Sequence, residues 1–445
     1  MSELFGNLTS LRYLDLSGAG CSGANPATMC SLSNLEHLDL SDNDLRGRKL
    51  QELIGNLTNL RYLDLSGADF GGQLPNQIGN LILLLLPSLR NLTLSGCQLP
   101  PPTISSTLTE FNTSRSLAFV DLGKNNITSS VFKWCNYNTS LVFLDLSSNE
   151  GCQILLPSYV LCNTWIFRPI SGIGGIICLF KLVKRNNPRE HWEFDHARDS
   201  GYFHSDSKWV PPFQLESLLL NSCKMSLFPE WLQTQKNLDF LAISGSGISE
   251  IIPCWFCELF RYIPQLDLSC NEIKGTLADL KFEFAYHPAV NLSWNKLEGR
   301  VPSFLSKASK LDLSNNKFSK LDSFLCATRV SYLNYLDLSS NHMSGEIPNC
   351  WKQFGDLVFL DLSNNTFSGN IPSTLSSLSS TQTLKVDNNM FVKVDNNMFE
   401  GELPSSFKNC TNLKVFDIEN NELSGPIPEW LGVGVSKLVI IIHVG

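Results

Sequence analysis

Apolar residues recur along most of the chain in one short pattern. Two leucine-type positions flank a single polar residue, and a polar run ending in asparagine follows. One copy reads Leu333-Asn-Tyr-Leu-Asp-Leu-Ser-Ser-Asn341-His-Met343. Because side chains alternate between the two faces of a strand, the pattern predicts a short strand with buried leucines and outward-facing residues between them. Successive copies predict strands stacked into a long parallel sheet.

The copies are regularly spaced when each is aligned on its anchor, the residue between the last two apolar positions. Most steps between anchors are 21 to 25 residues, which is typical of a leucine-rich repeat. The anchors are Asp15, Asp39, Asp64, Thr93, Asp121, Asp145, Leu219, Ala242, Asp267, Asn291, Asp312, Asp337, Asp361, Lys393, Asp417 and Ile441. The sequence therefore predicts one solenoid, whereas its length alone would suggest about three globular domains.

Two irregular steps interrupt the array. The anchors Asp145 and Leu219 are 74 residues apart, and residues 150–208 lack the pattern. We therefore predict about six repeats over residues 1–149, an interruption over 150–208, and about ten repeats over 209–445. The interruption is either an ordered island or non-native sequence from a misread gene, and the second is favoured because it breaks local consistency without an evident gain. The second long step, from Asp361 to Lys393, arises because KVDNNMFV at 385–392 is repeated almost verbatim.

Two further columns support the repeat. An asparagine stands four residues past many anchors, where a buried amide can satisfy the turning backbone: Asn43, Asn125, Asn149, Asn271, Asn295, Asn316, Asn341, Asn365, Asn397 and Asn421. Cys97 and Cys223 take the same position, so we interpret them as small buried residues.

Several repeats continue past the asparagine column with the motif G-x-[IVL]-P. In this motif Gly permits a bend and Pro stops a helix. The copies begin at Gly72, Gly299, Gly345, Gly369, Gly401 and Gly425.

This form of the repeat resembles the plant-specific extracellular leucine-rich class. The resemblance implies an α/β-type repeat solenoid, a right-handed superhelix with a parallel sheet on its concave face. It also implies a second short strand at the LxGxIP motif and mostly loops and 3-10 turns on the convex side.

A narrower resemblance rests on three passages: Trp209-Val-Pro-Pro-Phe-Gln-Leu-Glu-Ser-Leu-Leu-Leu-Asn-Ser-Cys-Lys224, Phe228-Pro-Glu-Trp-Leu-Gln-Thr-Gln-Lys-Asn237 and Gly345-Glu-Ile-Pro-Asn-Cys-Trp351. They are similar to plant receptor-like proteins of the ethylene-inducing xylanase receptor type. That resemblance implies a plasma-membrane protein whose extracellular solenoid recognises a protein, peptide or glycan. Such proteins signal in immunity through an adaptor or co-receptor kinase.

The chain departs from that family at both ends, since it shows no signal peptide, Cys-paired cap, membrane helix or tail, and we expect a fragment. Two alternatives stay open. One is a soluble cell-wall inhibitor of the polygalacturonase-inhibitor kind, and the other is the ectodomain of a leucine-rich repeat receptor kinase.

Charge and motif content exclude several functions. The chain has 34 Lys+Arg against 42 Asp+Glu, a net charge of −8, and no basic run, so a nucleic-acid partner is excluded. Its apolar windows, residues 170–183 and 438–444, are shorter than the roughly 20 residues of a membrane helix. No nucleotide, esterase or metalloprotease motif is present, so we expect no enzyme and no cofactor.

Two groups of potentially reactive residues do not predict a redox site or a metal site. Cys254-Trp-Phe-Cys257 has redox-motif spacing but lies in the convex stretch of a repeat. The cluster from His191 to His204 matches no recognised ligand spacing, so we expect no metal site.

Sequons and one cysteine pair indicate secretion. The N-x-[ST] sequons, candidate N-glycosylation sites, are Asn7, Asn56, Asn91, Asn112, Asn126, Asn138, Asn291, Asn364 and Asn409. Cys326 and Cys350 each lie 11 residues before an anchor in adjacent repeats. Because stacked strands lie about 4.8 Å apart, this spacing predicts a disulfide.

An aromatic column is the candidate binding surface. It stands two residues before the anchors and comprises Tyr13, Tyr62, Phe119, Phe143, Phe240, Tyr335 and Phe359. Rigidly held aromatics suit protein recognition, although neighbouring rings could equally stack only on one another. Because glycans on Asn91 and Asn291 would project from the same face, we expect binding near Phe119 to Phe143 or near Tyr335 to Phe359.

Overall fold

The computed structural model describes residues 8–20, 32–46, 50–70, 85–99, 116–127, 139–149, 209–280, 284–326, 330–386, 403–418, 421 and 428–442. They fall into two units, which are described separately. Unit 1 is the part up to Gly247, and unit 2 begins at Ile248. No helix among these residues is long and apolar enough to cross a membrane.

Unit 1 contains a parallel sheet in which each described strand is three residues long. In every strand the middle residue is buried and the first residue faces outward, as the leucine alternation predicts. A helix, Leu50–Ile54, and a 3-10 turn, Glu230–Thr234, lie on the return segments. The strands, which pair in chain order, are β1 Tyr13–Asp15, β2 His37–Asp39, β3 Tyr62–Asp64, β4 Asn91–Thr93, β5 Phe119–Asp121, β6 Phe143–Asp145, β7 Ser217–Leu219 and β8 Phe240–Ala242.

Unit 2 contains a parallel sheet of the same kind and a second set of short strands. The main strands are β9 Gln265–Asp267, β11 Ala289–Asn291, β13 Lys310–Asp312, β15 Tyr335–Asp337, β17 Phe359–Asp361, β19 Thr383–Lys385, β20 Val415–Asp417 and β21 Ile440–Ile442. The second set is β10 Lys274–Thr276, β12 Lys296–Arg300, β14 Lys317–Lys320, β16 Ser344–Glu346 and β18 Thr366–Ser368. Together they confirm the predicted leucine-rich repeat solenoid. Of the second strands, β12, β16 and β18 lie at the predicted G-x-[IVL]-P motifs, whereas β10 and β14 form without one.

The return segments of unit 2 are short. Its helices are Cys254–Phe260, Asp322–Cys326 and Trp430–Val433. Its 3-10 turns are Ser303–Lys307, Ser373–Ser377 and Ser405–Asn409, each directly preceded by a proline in extended conformation or close to it. Proline lacks an N–H, so it suits the position where such a turn starts.

Two predicted anchors are wrong. β19 ends at Lys385, in the first KVDNNMFV copy, and its register places Lys385 beside Asp361. The predicted anchor Lys393 and the ladder residue Asn397 lie outside the described residues. β21 pairs Asp417 with Ile442 rather than with Ile441, because a run of three isoleucines has no polar alternation to specify register.

The sheet of unit 1 continues directly across the predicted interruption. β6 pairs with β7 in register, so Phe143 faces Ser217 and Asp145 faces Leu219. The pairing extends past the strands, since Leu146 N donates to Leu219 O at 2.9 Å. Residues 150–208 lie outside the described residues, yet the repeats on either side of them are immediate neighbours.

The asparagine column joins each repeat to the one before it. Asn341 Nδ2 donates to the carbonyl oxygens of Leu313, Leu338 and Ser339 at 2.9, 3.0 and 3.1 Å. Its Oδ1 accepts the N–H of Phe318 at 3.0 Å. One buried amide therefore satisfies four backbone groups, which neither a smaller nor an apolar side chain can do.

Wherever the position three residues past an anchor is described, the chain turns there through a left-handed corner. Among the residues there, Asp42, Ser148 and Asn364 have φ of 55, 55 and 52°, and Gly67 has 65°. A left-handed corner turns the chain out of the sheet. Because L-residues tolerate it poorly, glycine and asparagine are favoured at this position.

Candidate ligand-binding surface

The strand face, defined here as the outward side chains of the first and third strand residues, carries a three-ring stack in unit 1. His37 lies between Tyr13 and Tyr62, with centroid distances of 4.1 and 4.0 Å and interplanar angles of 12 and 9°. The strands are in register, so the rings occupy one column. Tyr13 is 59% exposed, which leaves one end of the stack open to a partner.

His37 was missed by the sequence prediction, which named only tyrosines and phenylalanines. Its position two residues before the anchor Asp39 was the available signal. Burial against the two tyrosines lowers the pKa of His37 below 6.5, and the nearby carboxylates Asp39, Asp15 and Asp64 oppose that shift. The imidazole is therefore neutral at pH 7 and becomes charged only in acid.

Two further pairs of predicted aromatics stack in the same column. Phe119 and Phe143 lie 3.9 Å apart at 9° in unit 1, and Tyr335 and Phe359 lie 4.4 Å apart at 5° in unit 2. Phe240 differs, because its register partner on β7 is Ser217. Six of the seven predicted aromatics thus belong to stacks, and each stack is a rigid apolar strip with little side-chain entropy left to lose on binding.

The anchor column beside these rings is a row of carboxylates held in one orientation. Asp15 Oδ1 accepts from both the N–H and the hydroxyl of Ser17, at 2.9 and 2.7 Å. Asp337 Oδ1 accepts in the same way from Ser339, at 2.9 and 2.6 Å. Since Oδ1 is occupied, Oδ2 is the atom that faces outward to a ligand or to the neighbouring ring.

The pKa values of these carboxylates differ because the side chains are buried to different extents. The hydrogen bonds from Ser17 lower the pKa of the exposed Asp15. Burial, reinforced by neighbouring Asp145, raises the pKa of Asp121 to about 6, and burial also raises that of Asp267 to about 6. Burial between Asp312 and Asp361 raises the pKa of Asp337 well above 3.8. The strand face thus holds acids that differ in charge at mildly acidic pH.

The tyrosines that precede buried acids are tied to them. Tyr62 Oη donates to Asp64 Oδ2 at 3.2 Å, and Tyr335 Oη approaches Asp337 Oδ2 at 3.5 Å. Burial and the adjacent carboxylates raise the pKa of both phenols. Both phenols are therefore neutral hydrogen-bond donors across the physiological range.

One cation completes the anchor column of unit 2. Lys385 Nζ lies 3.6 Å from Asp361 Oδ2, which is largely buried. The contact shows that an ammonium group fits above this column, on the carboxylate oxygen that the serine does not use.

The candidate glycosylation sites differ in accessibility. Asn56, Asn364 and Asn409 are exposed, whereas Asn91 and Asn126 are half-buried. Asn291 is 6% exposed; its Oδ1 accepts from the N–H and hydroxyl of Ser293, and its Nδ2 is buried without a hydrogen-bond partner. Asn7, Asn112 and Asn138 lie outside the described residues.

The cysteines divide into bonded and free groups. Cys326 and Cys350 form a disulfide with their Cα atoms 5.3 Å apart, and Cys270 is also disulfide-bonded. Cys97 and Cys223 are buried thiols that donate to backbone carbonyl oxygens. Burial raises the pKa of Cys97 to about 12, so this thiol carries almost no thiolate at neutral pH.

The remaining reactive groups are arranged poorly for chemistry. Cys254 and Cys257 are free on the short helix Cys254–Phe260, and burial raises the pKa of Cys257, which disfavours the reactive thiolate. The described residues contain no group of His, Cys, Asp and Glu that could hold a metal ion. The cluster from His191 to His204 lies outside them.

Leucine-rich repeat families match separate stretches of the chain. One leucine-rich repeat description matches residues 2–45 and 306–367, and another matches 34–57, 59–81 and 412–433. Receptor-like protein EIX2 of Solanum lycopersicum is 37% identical over 150 residues, which cover 34% of this chain and 15% of EIX2. The chain thus contains leucine-rich repeats and is similar in sequence to plant receptor-like proteins. This agrees with the resemblance inferred from its repeat motifs.

Other plant receptor-like proteins show similar relationships. Cuscuta receptor 1 of Solanum lycopersicum is 25% identical over 347 residues, which cover 77% of this chain and 24% of that protein. Receptor-like protein 35 of Arabidopsis thaliana is 37% identical over 147 residues, with 32% of this chain and 14% of that protein covered. The chain therefore spans a quarter or less of the length of these relatives.

Solved structures share the fold of this chain. One is the ectodomain of the Arabidopsis receptor kinase HAESA, solved in complex with an N-terminally extended IDA peptide hormone ligand. It matches with a TM-score of 0.57 at 22% identity, and the match covers 99% of this chain and 66% of the HAESA chain. A Leptospira interrogans leucine-rich repeat protein matches with a TM-score of 0.63 at 20% identity, covering 99% and 98%. Since a bacterial protein fits equally well, the likeness shows the fold alone.

Proposed function

We propose that this receptor-like protein is an extracellular recognition module that binds a protein or peptide on its strand face. In this proposal it acts in plant immunity, is held at the plasma membrane and signals through a partner kinase without catalysis of its own. Recognition would depend on surface complementarity, because the site offers fixed rings and carboxylates rather than a nucleophile and a base.

The single observation that carries the proposal is the paired stacks Phe119/Phe143 and Tyr335/Phe359. Each pair lies on strands whose register holds the rings parallel. A ligand that covers such a strip buries apolar area without paying to order the rings, and the adjacent carboxylates supply polar specificity. The similarity to receptor-like proteins supports a recognition role for the chain.

Selection from a library of random linear peptides on the secreted, glycosylated chain tests the proposal. Peptides that bind should lose at least about tenfold in affinity with Phe143→Asp or Phe359→Asp, because a charge on the strip opposes burial. Phe240→Asp is the matched control, since Phe240 stands in the same column without a stacked neighbour on β7. Affinities that stay unchanged in both stack variants, with the fold intact by circular dichroism, would reject the proposal.

The remaining expectations stay predictions. If the chain is instead a cell-wall inhibitor, it should bind a polygalacturonase. If it is the ectodomain of a receptor kinase, the complete transcript should encode a kinase domain after it. The division at residues 150–208 is likewise proposed.

A further inference from the structure

One edge of unit 2 carries an unusual concentration of exposed aromatic surface. Four of the ten large apolar side chains exposed among the described residues lie between 262 and 332. They are Tyr262, Tyr286, Val330 and Tyr332, with exposures of 51, 58, 57 and 51%. Single exposed apolar residues are ordinary, but a contiguous group marks an interaction surface.

The three tyrosines occupy one position of the repeat. Each lies five residues before its anchor, on the segment that leads into β9, β11 or β15. In the intervening repeat, which contains β13, that position is Lys307. Because the strands β9, β11, β13 and β15 pair in register, these side chains form a single row, which we call the tyrosine edge.

Contacts bridge the gap that Lys307 makes in the row. The rings of His287 and Tyr332 lie 3.9 Å apart although they belong to repeats separated by β13. His287 Nδ1 is 3.1 Å from the carbonyl oxygen of Lys307, and Lys307 Nζ donates to Val330 O at 3.4 Å. The edge from Tyr286 to Tyr332 is therefore one connected surface.

The tyrosine edge is basic although the chain is acidic overall. The guanidinium of Arg261 lies 5.4 Å from the centroid of the Tyr262 ring. Across the repeats of β9, β11, β13 and β15, the two positions five and six residues before the anchor carry Arg261 and Lys307 and no carboxylate. The anchors Asp267, Asp312 and Asp337 place the acids on the strand face instead, so the edge and the face would attract different partners.

No glycan is expected to cover this edge. Residues 248–363 contain a single sequon, Asn291, whose Nδ2 is buried. By contrast, Asn56 and Asn409 are exposed and each lies eight residues before its anchor, on the segment leading into a strand. The tyrosine edge thus lies in a stretch of repeats whose approach segments are left free of sugar.

We propose that the tyrosine edge docks a second protein through a segment that carries carboxylates beside an apolar side chain. Tyrosine and arginine are enriched in protein interfaces because they give large contact area at little entropic cost. The carboxylates would pair with Arg261 and Lys307, and the apolar residue would lie across the rings of Tyr286 and Tyr332. This partner differs from the ligand of the strand face, so both could bind at once.

Peptide selection with edge variants tests the proposal on the full glycosylated chain. Random linear peptides are selected on the wild type and counter-selected on a Tyr262→Ser/Tyr286→Ser/Tyr332→Ser variant. We expect enrichment of peptides with Asp or Glu next to Leu or Phe. A synthetic copy should bind the triple variant and an Arg261→Glu/Lys307→Glu variant at least about tenfold more weakly. All five side chains lie at the surface or are half-buried, and unchanged melting curves would show that each variant folds.

Controls separate this surface from the strand face. Phe359→Asp should leave the affinity of the selected acidic peptide unchanged, whatever it does to strand-face ligands. Enrichment of basic peptides, or of peptides that bind the triple variant normally, would overturn the proposal. Tyrosine-dependent binding of an oligogalacturonate, used as a second probe, without any enriched peptide would also overturn it in favour of an acidic glycan. Hydrogen exchange should show protection at residues 261–263, 285–288 and 330–334 in the peptide complex.

Discussion

The two units build the same repeat with different buried columns. Four residues past the anchor, each described position in unit 2 is asparagine, whereas in unit 1 only Asn43, Asn125 and Asn149 are, out of eight. Cys97 holds the position in one unit 1 repeat, where its Sγ donates to Leu65 O at 2.9 Å. A thiol is a weak donor and a poor acceptor, so it cannot replace the four bonds of an amide.

The backbone differs where the amide is missing. In unit 1, Gly20, Gln98 and Gly247 take a second left-handed φ of 64, 57 and 80°, each five residues past an anchor whose column residue is not asparagine. In both units, an asparagine of the next repeat accepts through its Oδ1 the N–H six residues past the preceding anchor, as Asn316 does from Leu297 and Asn125 from Leu99, both at 3.0 Å. In unit 2 that segment continues as an extended strand such as β12.

Second strands accompany an unbroken asparagine column. The described residues of unit 2 show both, whereas those of unit 1, with three asparagines in eight repeats, show only the isolated bridge Asp44 to Asp69. Hydrogen-bond capacity, rather than hydrophobicity, separates the two units.

The largest expected effect comes from removing the amide. Asn341→Ala removes three hydrogen bonds to carbonyl oxygens that keep other donors, and it removes the acceptor of the buried Phe318 N–H. It should lower the free energy of unfolding by about 3 kcal/mol. Cys97→Ala should cost only about 1 kcal/mol, because it removes a weak donor and little volume. Urea unfolding measures both. Equal losses would show that the column does not distinguish the units.

The buried and the exposed acids of the anchor column should give opposite pH responses. The raised pKa values of Asp267 and Asp337 mean that their protonated forms favour the folded state. That stabilisation is present below about pH 4 and is lost as pH rises through about 6, by roughly 2 to 3 kcal/mol for Asp267. Asp337→Asn should therefore raise the melting temperature at pH 7.5 and flatten its dependence between pH 4 and 7.5.

Asp15 in unit 1 is the matched control for that experiment. Its pKa is lowered by Ser17, so its contribution is present at neutral pH and lost in acid. Asp15→Asn should not raise the melting temperature at pH 7.5. A wild type whose melting temperature falls steadily from pH 7 to 5 would contradict the assigned burial of the unit 2 acids.

The smallest effect should come from the long segment of unit 1. Because β6 and β7 already pair in register, replacing residues 150–208 with a return segment of ordinary repeat length should change the stability of unit 1 by less than about 1 kcal/mol. Hydrogen exchange at Leu146 and Ser217 reports on the junction directly. Loss of protection there would show that the segment supports the sheet.

Much of the fold followed from periodicity. The main strands up to β17 end at the predicted anchors, such as Asp121 and Asp312, because a strict alternation of leucine and polar residues permits only one register. The register was missed where that alternation fails. It failed at the triple isoleucine of β21, and at the KVDNNMFV duplication, where two identical segments compete and pairing selects Lys385.

The sequence predicted where the aromatic column lies, but not which of its side chains contact one another. The aromatic column was visible, but the place of His37 between two tyrosines follows from register, and the tyrosine edge from contacts between non-adjacent repeats such as His287 with Tyr332. The His37 stack and the tyrosine edge both join residues of different repeats, so a motif search within one repeat finds neither of them.

The sequence by itself determined the repeat, the direction of its leucines and the asparagine column, because these depend on local alternation and on side-chain hydrogen-bonding capacity. Only the tertiary structure decided which repeats are neighbours across residues 150–208, which copy of the duplication forms the strand, and which acids are buried enough to stay protonated near pH 6. Those outcomes depend on pairing and burial between residues far apart in the chain, and a short pattern contains no information about either.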